Sequence, residues 1–317
     1  MLPSGEIFKA KVTDASRRLG RDIKLTGLEF SEPFSRLTGA RVYMKWENDQ
    51  VTGSFKIRGA LNRLRTLSPA EKAEGLVTAS TGNHGLAMAH AGRLEGLTIE
   101  VYVPASASAA KLRKLRSAGV CLHRVDAPCD KVESLARRAA ELSGRFYVSP
   151  YNDWEVIYGQ GTVGREISEQ LPEAEDVLVP VGGGGLASGL AGYLKSLRDG
   201  LRVMGVEPEG SAFMAASLEA GRLVDIPEKK TVAEAVAGGI ERGSMTFPLC
   251  RKYLDRILTV KEKTLIKAWR ELRRLSGRPV VGAGALALAA VWQYEGLFRG
   301  RKTVLVVSGG NVSAGVP

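Results

Sequence analysis

Apolar residues recur along this chain in two rhythms. Short runs rich in Val, Ile and Leu read as buried strands, and longer segments with apolar positions three or four apart read as amphipathic helices. An opening helix is predicted over Glu6 to Leu19. A strand over Arg41 to Trp46 follows, and then a helix over Ser54 to Leu67 with Ser54 as its N-cap. Strand-like runs recur at Leu76 to Ser80, Thr98 to Val103, Cys121 to Val125 and Phe146 to Ser149. Helical patterns separate them at Gly82 to Leu94, Ala109 to Ala118 and Lys131 to Leu142. A second set has strands at Val177 to Val181, Val203 to Val206, Ile257 to Val260 and Val304 to Val307. Its helices are Val156 to Gln170, Leu186 to Leu197, Thr264 to Leu275 and Ala285 to Tyr294. This βαβ alternation predicts an α/β fold with two open parallel-sheet lobes.

Ligands of open parallel sheets bind beyond the carboxyl ends of the strands, so the loops that follow strands carry the chemistry. Thr52-Gly53-Ser54-Phe55-Lys56-Ile57-Arg58-Gly59-Ala60 follows the Arg41 strand and sets Lys56 in the first turn of a helix. The positive end of the helix dipole disfavours its ammonium and favours the nucleophilic amine that a Schiff base requires. Four glycines, Gly182, Gly183, Gly184 and Gly185, join an apolar strand to a helix, where bare backbone amides can wrap a phosphate. The same loop fits a dinucleotide fingerprint through Ala187, with Glu207 placed as the ribose acid. Ser80-Thr81-Gly82-Asn83-His84-Gly85 is a second strand-to-helix turn, with Ser80 or Thr81 as its cap and free amides suited to a carboxylate. His84 by itself reads as a satisfied structural histidine. Ser308 ends the last strand before Gly309, Gly310 and Asn311, and its hydroxyl can meet a ring nitrogen without forcing a proton onto it.

Composition narrows the classes. A chain of 317 residues with 44% hydrophobic and 25% charged residues can bury the core of a globular enzyme. It contains no run near the ~20 apolar residues that span a bilayer. A cytoplasmic protein with no membrane partner is expected. The net charge of +11 is spread along helices without interleaved aromatics, so a nucleic-acid partner is not expected. Cys121, Cys129 and Cys250 form no CxxC pair and share no metal-ligand spacing with His84, His90 or His123.

Together the Lys56 stretch, Ser80 to Gly85, Gly159-Gln160-Gly161-Thr162, Gly182 to Gly185 and Ser308 to Asn311 resemble the fold-type II pyridoxal-phosphate enzymes. Within them the likeness is to the serine/threonine dehydratase (threonine deaminase) and serine racemase group, in the same order and spacing. The resemblance implies the tryptophan synthase β-subunit-like architecture, with residues 1–74 and 148–317 as a large cofactor-binding domain and 75–147 as a small one. It implies pyridoxal 5'-phosphate held on Lys56 as a Schiff base, with Phe55 beside the ring and Asn83 on its phenolic oxygen. Gly182, Gly183, Gly184 and Gly185 would surround the phosphate, and Ser308 would face the ring nitrogen. Ser80, Thr81, Gly82, Asn83 and His84 would bind the substrate carboxylate. The implied reaction is dehydration and deamination of a β-hydroxy amino acid such as L-threonine or L-serine to a 2-oxo acid and ammonia. Lys56 would move the Cα proton, and the cofactor phosphate would protonate the leaving hydroxyl. A homodimer is expected.

Departures from the pattern sharpen this expectation. Thr81 stands where the racemases carry serine, and its stiff β-branch favours elimination over racemisation. Glu207 has Phe213 where the family's cation site has a second acid, so no metal is expected. Arg278 replaces a common glutamate and either lines the site, favouring an anionic substrate, or faces solvent. The chain ends soon after Asn311, so a C-terminal regulatory domain is not expected. The competing functions are an amino-acid racemase, a β-replacement synthase and, outside this class, an NAD-dependent dehydrogenase built on Gly182 to Ala187.

Overall fold

The computed structural model describes residues 2–127 and 129–312. Helix α1 (Gly5–Leu19) starts where the Ser4 hydroxyl accepts the Ile7 N–H, and it buries Phe8, Val12, Ala15 and Leu19 at helical spacing. Then come β1 (Leu28–Phe30), α2 (Glu32–Thr38), β2 (Arg41–Trp46), α3 (Lys56–Thr66), α4 (Pro69–Ala73), β3 (Leu76–Ala79), α5 (Asn83–Glu95) and β4 (Ile99–Pro104). The chain continues through α6 (Ala109–Ser117), β5 (Cys121–Val125), α7 (Cys129–Ser143), β6 (Phe146–Tyr147), α8 (Trp154–Gln170), β7 (Asp176–Pro180), α9 (Gly185–Leu197) and β8 (Arg202–Pro208). It ends with α10 (Phe213–Ala220), α11 (Thr246–Tyr253), β9 (Arg256–Val260), α12 (Glu262–Ser276), α13 (Leu286–Gln293) and β10 (Lys302–Val307).

The strands form two sheets, as the alternation predicts. The larger has the order β1-β2-β10-β7-β8-β9 and is parallel except for the antiparallel edge strand β1. The smaller, β5-β4-β3-β6, is parallel throughout. From β7 the chain runs outward to β8 and β9 and then returns to β10 on the other side of β7. The crevice between β7 and β10 is therefore a topological switch point, and it lies beyond the carboxyl ends of both strands. The tetraglycine loop leaves β7 there, and Ser308 leaves β10.

Sequence and structure differ where elements are short or held by distant partners. Three-residue β1 and eight-residue α10 and α11 give too few turns for a period to register. The lysine helix starts at Lys56 rather than Ser54, and no side chain caps it. Ser54 instead pairs with Gly309 as an isolated antiparallel bridge, a contact that no local pattern reveals. The segment expected to be helical from Ala285 opens as a 3-10 turn over Gly282–Ala285 before α13. Cys121 and Cys250 are free thiols, and the Cys129 side chain lies outside the described residues.

Helix α3 rests on α8 backbone to backbone. A Cβ at Gly159 would lie 2.5 Å from the Arg58 carbonyl oxygen and 2.6 Å from the Gly59 Cα. Such an atom cannot be placed without lifting α3, and Lys56 with it. Gly159→Ala should therefore lower the thermal unfolding midpoint, with a stability loss of about 1–3 kcal/mol of the overpacking kind.

Candidate active site

Lys56 opens α3 and retains part of its surface. Its ammonium donates to the Pro150 carbonyl at 2.9 Å and lies 5.2 Å from the centroid of the Phe55 ring. Burial disfavours the charge and lowers the amine's pKa from 10.5 to about 8, with a partial counter-effect from the Glu133 carboxylate. A substantial share of Lys56 is thus neutral near physiological pH, as a nucleophilic amine must be.

Three backbone segments converge on this amine. Phe55 N–H donates to the Ser308 carbonyl at 3.2 Å, and Gly310 N–H to the Gly53 carbonyl at 2.8 Å, so the lysine loop and the loop after β10 are stitched together. Ser308 is buried at the end of β10. Asn311 donates to the Thr52 carbonyl and to Asn83 Oδ1, both at 2.8 Å, which brings the start of α5 onto the same loop. With its oxygen occupied, Asn83 keeps Nδ2 as a donor suited to a phenolate oxygen.

The tetraglycine loop forms a cradle that side chains would fill. Gly184 adopts φ +85 as the N-cap residue of α9, and a Cβ at Gly183 would lie 2.5 Å from the Tyr151 ring. The first amides of α9 have no intrahelical acceptor, which leaves them for an anion. The Ser54 hydroxyl, on the same loop, is buried and unpartnered. An amine of low pKa, an aromatic neighbour, a bare-backbone anion cradle and a neutral hydroxyl together match a phosphorylated pyridine aldehyde group by group.

The turn before α5 differs from the expected capping. Gly82 is the N-cap residue, and the Ser80 hydroxyl accepts the Gly82 N–H at 3.1 Å rather than an amide inside the helix. Thr81 and Gly82 lie partly exposed at this turn, between Ser80 and Asn83. His84 is buried with neither ring nitrogen well hydrogen-bonded. Burial, and then the charge of Lys56, depress it to about 3, so at physiological pH it is the neutral imidazole, with one ring nitrogen bearing hydrogen and the other bare.

Two sequence readings change. Glu207 spends its carboxylate on the N–H groups of Met214 (3.0 Å) and Ala215 (2.8 Å), which removes it as a ribose acid. Burial lifts its pKa to about 7 against those two hydrogen bonds. Arg278 neither lines the cleft nor stands free. It lies 4.1 Å from the Trp46 ring centroid and pairs with Glu29 at 3.0 Å and Asp49 at 3.4 Å. With Arg270, Arg273 and Arg274 it borders a surface cavity of about 560 Å³ at the end of α12.

Sequence reasoning missed a second ring of residues. Tyr147 at the end of β6, and Pro150, Tyr151 and Asn152 after it, meet α7, Lys56, the glycine loop and Glu241 in turn. Arg137 of α7 pairs with Glu241 at 2.8 Å, Asn152 donates to Glu241 at 2.9 Å, and Glu241 N–H donates to the Tyr151 hydroxyl at 3.0 Å. Charged residues on an amphipathic helix read as a solvated face, so only the topology exposes this cluster.

The family model described as "Pyridoxal-phosphate dependent enzyme" matches residues 20–310. The chain is 39% identical over 301 residues to an L-threonine ammonia-lyase of Thermotoga maritima, covering 95% of this chain and 75% of that protein. It superposes on the processed form of threonine deaminase isoform 2 from Solanum lycopersicum with a TM-score of 0.92 at 30% identity, covering 98% of this chain and 92% of the other. On maize serine racemase the TM-score is 0.91 at 30% identity, with 97% and 94% covered.

The low pKa of Lys56 predicts a stability effect in cofactor-free protein. Between pH 8 and 10.5 the unfolded chain keeps a proton at this amine that the folded chain has released, so stability rises with pH across that window. Denaturant unfolding at pH 7.5, 9 and 10 should show wild type gaining about 1–3 kcal/mol relative to Lys56→Met.

Proposed function

We propose that this protein, which belongs to the pyridoxal-phosphate dependent enzyme family, dehydrates and deaminates L-threonine and L-serine to the 2-oxo acid and ammonia. It is a pyridoxal-phosphate-dependent ammonia-lyase, and its reaction is a β-elimination from a β-hydroxy amino acid. The observation that supports the site reading is the amine of Lys56, lowered to about 8 by burial, hydrogen-bonded to Pro150 and carried on a loop stitched to Ser308.

When bound, the cofactor supplies an electron sink for the charge released at the substrate Cα. Lys56 would hold its aldehyde carbon and the α9 amides after Gly182 to Gly185 its phosphate. Phe55 would sit beside the ring, Asn83 Nδ2 would meet the phenolic oxygen, and the Ser308 hydroxyl would face the ring nitrogen. Serine leaves that nitrogen neutral, which limits charge storage in the ring and favours prompt loss of a β-substituent. Ser80, Thr81 and the amides of Gly82, Asn83 and His84 would orient the substrate carboxylate at the start of α5. Lys56, once freed, is the base for the Cα proton, and its low pKa suits that role at neutral pH.

Residues 75–147 are read as the small domain, moving against 1–74 and 148–317 so that the Ser80 loop closes over substrate and excludes water. A homodimer in the cytoplasm is the setting carried over from the resemblance. Among the described residues no helix is long and apolar enough to cross a membrane.

Racemisation is the second reading, supported by the likeness to maize serine racemase. It needs a proton donor on the face opposite Lys56, and Thr81 is the residue at that position of the loop. The restricted χ1 of threonine makes the transfer harder.

The test is 2-oxo acid release from L-threonine and L-serine by protein supplied with cofactor. Release should fall by about 10³-fold or more in Lys56→Ala. Borohydride reduction of the holoenzyme, followed by peptide mapping, should place the pyridoxyl label on Lys56. Absence of release from wild type would overturn the reading. Thr81→Ser should raise D-serine formation relative to pyruvate, measured by chiral chromatography on L-serine.

A further inference from the structure

Four glycines in a row do not fix the direction of their own amides. Glycine reaches both signs of φ, so a paired change of ψ at one residue and φ at the next can turn over the peptide plane between them. A phosphate cradle needs those planes held. In a trans peptide the C=O and N–H point opposite ways, so an N–H turned outward brings a carbonyl oxygen inward against the anion. A group outside the loop has to choose the direction.

The loop is gripped from two sides. A Cβ at Gly183 would lie 2.5 Å from the Tyr151 ring, and one at Gly184 would lie 2.9 Å from the Thr246 Cβ. Packing of this kind limits how far the loop can move but not which way a peptide plane faces. The Thr246 hydroxyl sets that. Thr246 is buried on the first residue of α11, and its Oγ1 donates to the Gly183 carbonyl at 2.6 Å. The Gly184 N–H shares this trans plane and so points away from Thr246. It has no acceptor among the described residues. Ser244 fixes the hydroxyl in turn. A threonine hydroxyl carries one hydrogen, so with that given to Gly183 the 2.7 Å contact between Thr246 Oγ1 and Ser244 Oγ has Ser244 as donor. Met245, between them, donates its N–H to Asn152 Oδ1 at 3.0 Å, which ties the Thr246 side of the grip to the residue after Tyr151.

On the reading above, which this inference rests on, the cofactor phosphate lies in this loop. We propose that Thr246 is a positioning residue for that phosphate, its hydroxyl holding the Gly183–Gly184 peptide with the N–H turned to the anion. Thr246 acts through the backbone and makes no contact with the phosphate itself. Ser244 keeps the Thr246 hydrogen on the Gly183 carbonyl, and the chain Ser244 to Thr246 to Gly183 runs in one direction, so each bond polarises the next.

The test compares two aldehydes that differ by the phosphate. Pyridoxal 5'-phosphate and pyridoxal can both react with Lys56, and only the first uses the cradle. Binding of each to cofactor-free protein is followed by absorbance, with borohydride trapping as the control for reaction at Lys56. Thr246→Val keeps the branched shape and strands the Gly183 carbonyl, so it should weaken pyridoxal 5'-phosphate binding by about 10-fold or more and leave pyridoxal within about twofold of wild type. Thr246→Ser keeps the hydroxyl and should restore the phosphate-dependent affinity. The ³¹P resonance of the bound cofactor should move in T246V and stay in place in T246S. Ser244→Ala, which frees the Thr246 hydroxyl to turn, should give the same split in weaker form, and it decides if T246V does not fold. Equal loss on both aldehydes, no loss on either, or failure of serine to restore binding overturns the proposal. If wild type binds the two aldehydes equally well, the cradle reading itself fails and this role falls with it.

Discussion

The structure depends on one buried ionic network beneath the lysine helix. Arg58, fully buried, donates to both oxygens of Glu47 at 2.8 Å and to both oxygens of Glu166 at 2.6 and 2.9 Å. Lys45 joins from β2, donating to Glu166 at 2.6 Å, the Thr26 carbonyl at 2.8 Å and Gln170 at 2.8 Å. Two cations face two anions, so the network is neutral as a whole and nearly every donor is met. Burial favours a neutral Glu47, but the Arg58 guanidinium overrides it and holds the carboxyl below its usual range. Removing one member would strand a buried charge at a cost of about 3–5 kcal/mol. The energetic consequence is rigidity rather than net stability, since such clusters barely repay their desolvation. That rigidity joins β2, α3 and α8, and it places Lys56 two residues upstream of Arg58.

The cleft is rigid below and adjustable above. On the large-sheet side, Lys56, Ser308 and the glycine cradle are set by parallel strands and backbone hydrogen bonds. On the small-sheet side, contact is made by side chains: Asn83 to Asn311, Lys114 to Asn311 at 2.6 Å, and Arg137 to Glu241. The Arg137–Glu241 pair is partly exposed, where an ion pair is worth about 1 kcal/mol or less. Bonds of that size can open and close in a catalytic cycle. The buried Arg58 network cannot.

The legible part of this protein follows from local physics. Arg41–Trp46 was readable to the residue because an apolar run marks a buried strand, and the tetraglycine loop because Gly184 takes φ +85 and a Cβ at its neighbours would clash. Lys56 stood out through its place at a helix start. Ser54 was misread because its partner, Gly309, is far along the chain, and a serine before a helix is locally an N-cap. Glu133, Arg137 and Glu241 were invisible for a different reason. Glu133 and Arg137 have the spacing of any solvated face on α7, and Glu241 lies far along the chain, so only the fold shows that Arg137 pairs with it. Arg278 could not be assigned from the sequence because the groups that hold it at the surface, Trp46 and Glu29, lie far along the chain.

Asn311 is the side chain on which the lysine loop and two small-sheet helices meet. Its Nδ2 donates one hydrogen to the Thr52 carbonyl and the other to Asn83 Oδ1, so one amide ties the lysine loop to the start of α5. Its Oδ1 accepts from Lys114 on α6, which draws a second small-sheet element to the same side chain. Once Asn83 surrenders its oxygen to Asn311, only its Nδ2 donor is free, and an amide that can only donate suits an acceptor oxygen rather than a hydroxyl proton. The contact of Asn83 with the loop after β10 therefore sets the direction of its amide, next to the Ser80 turn. Without Asn311 that amide would be free to rotate, and the donor side of Asn83 would have no fixed direction.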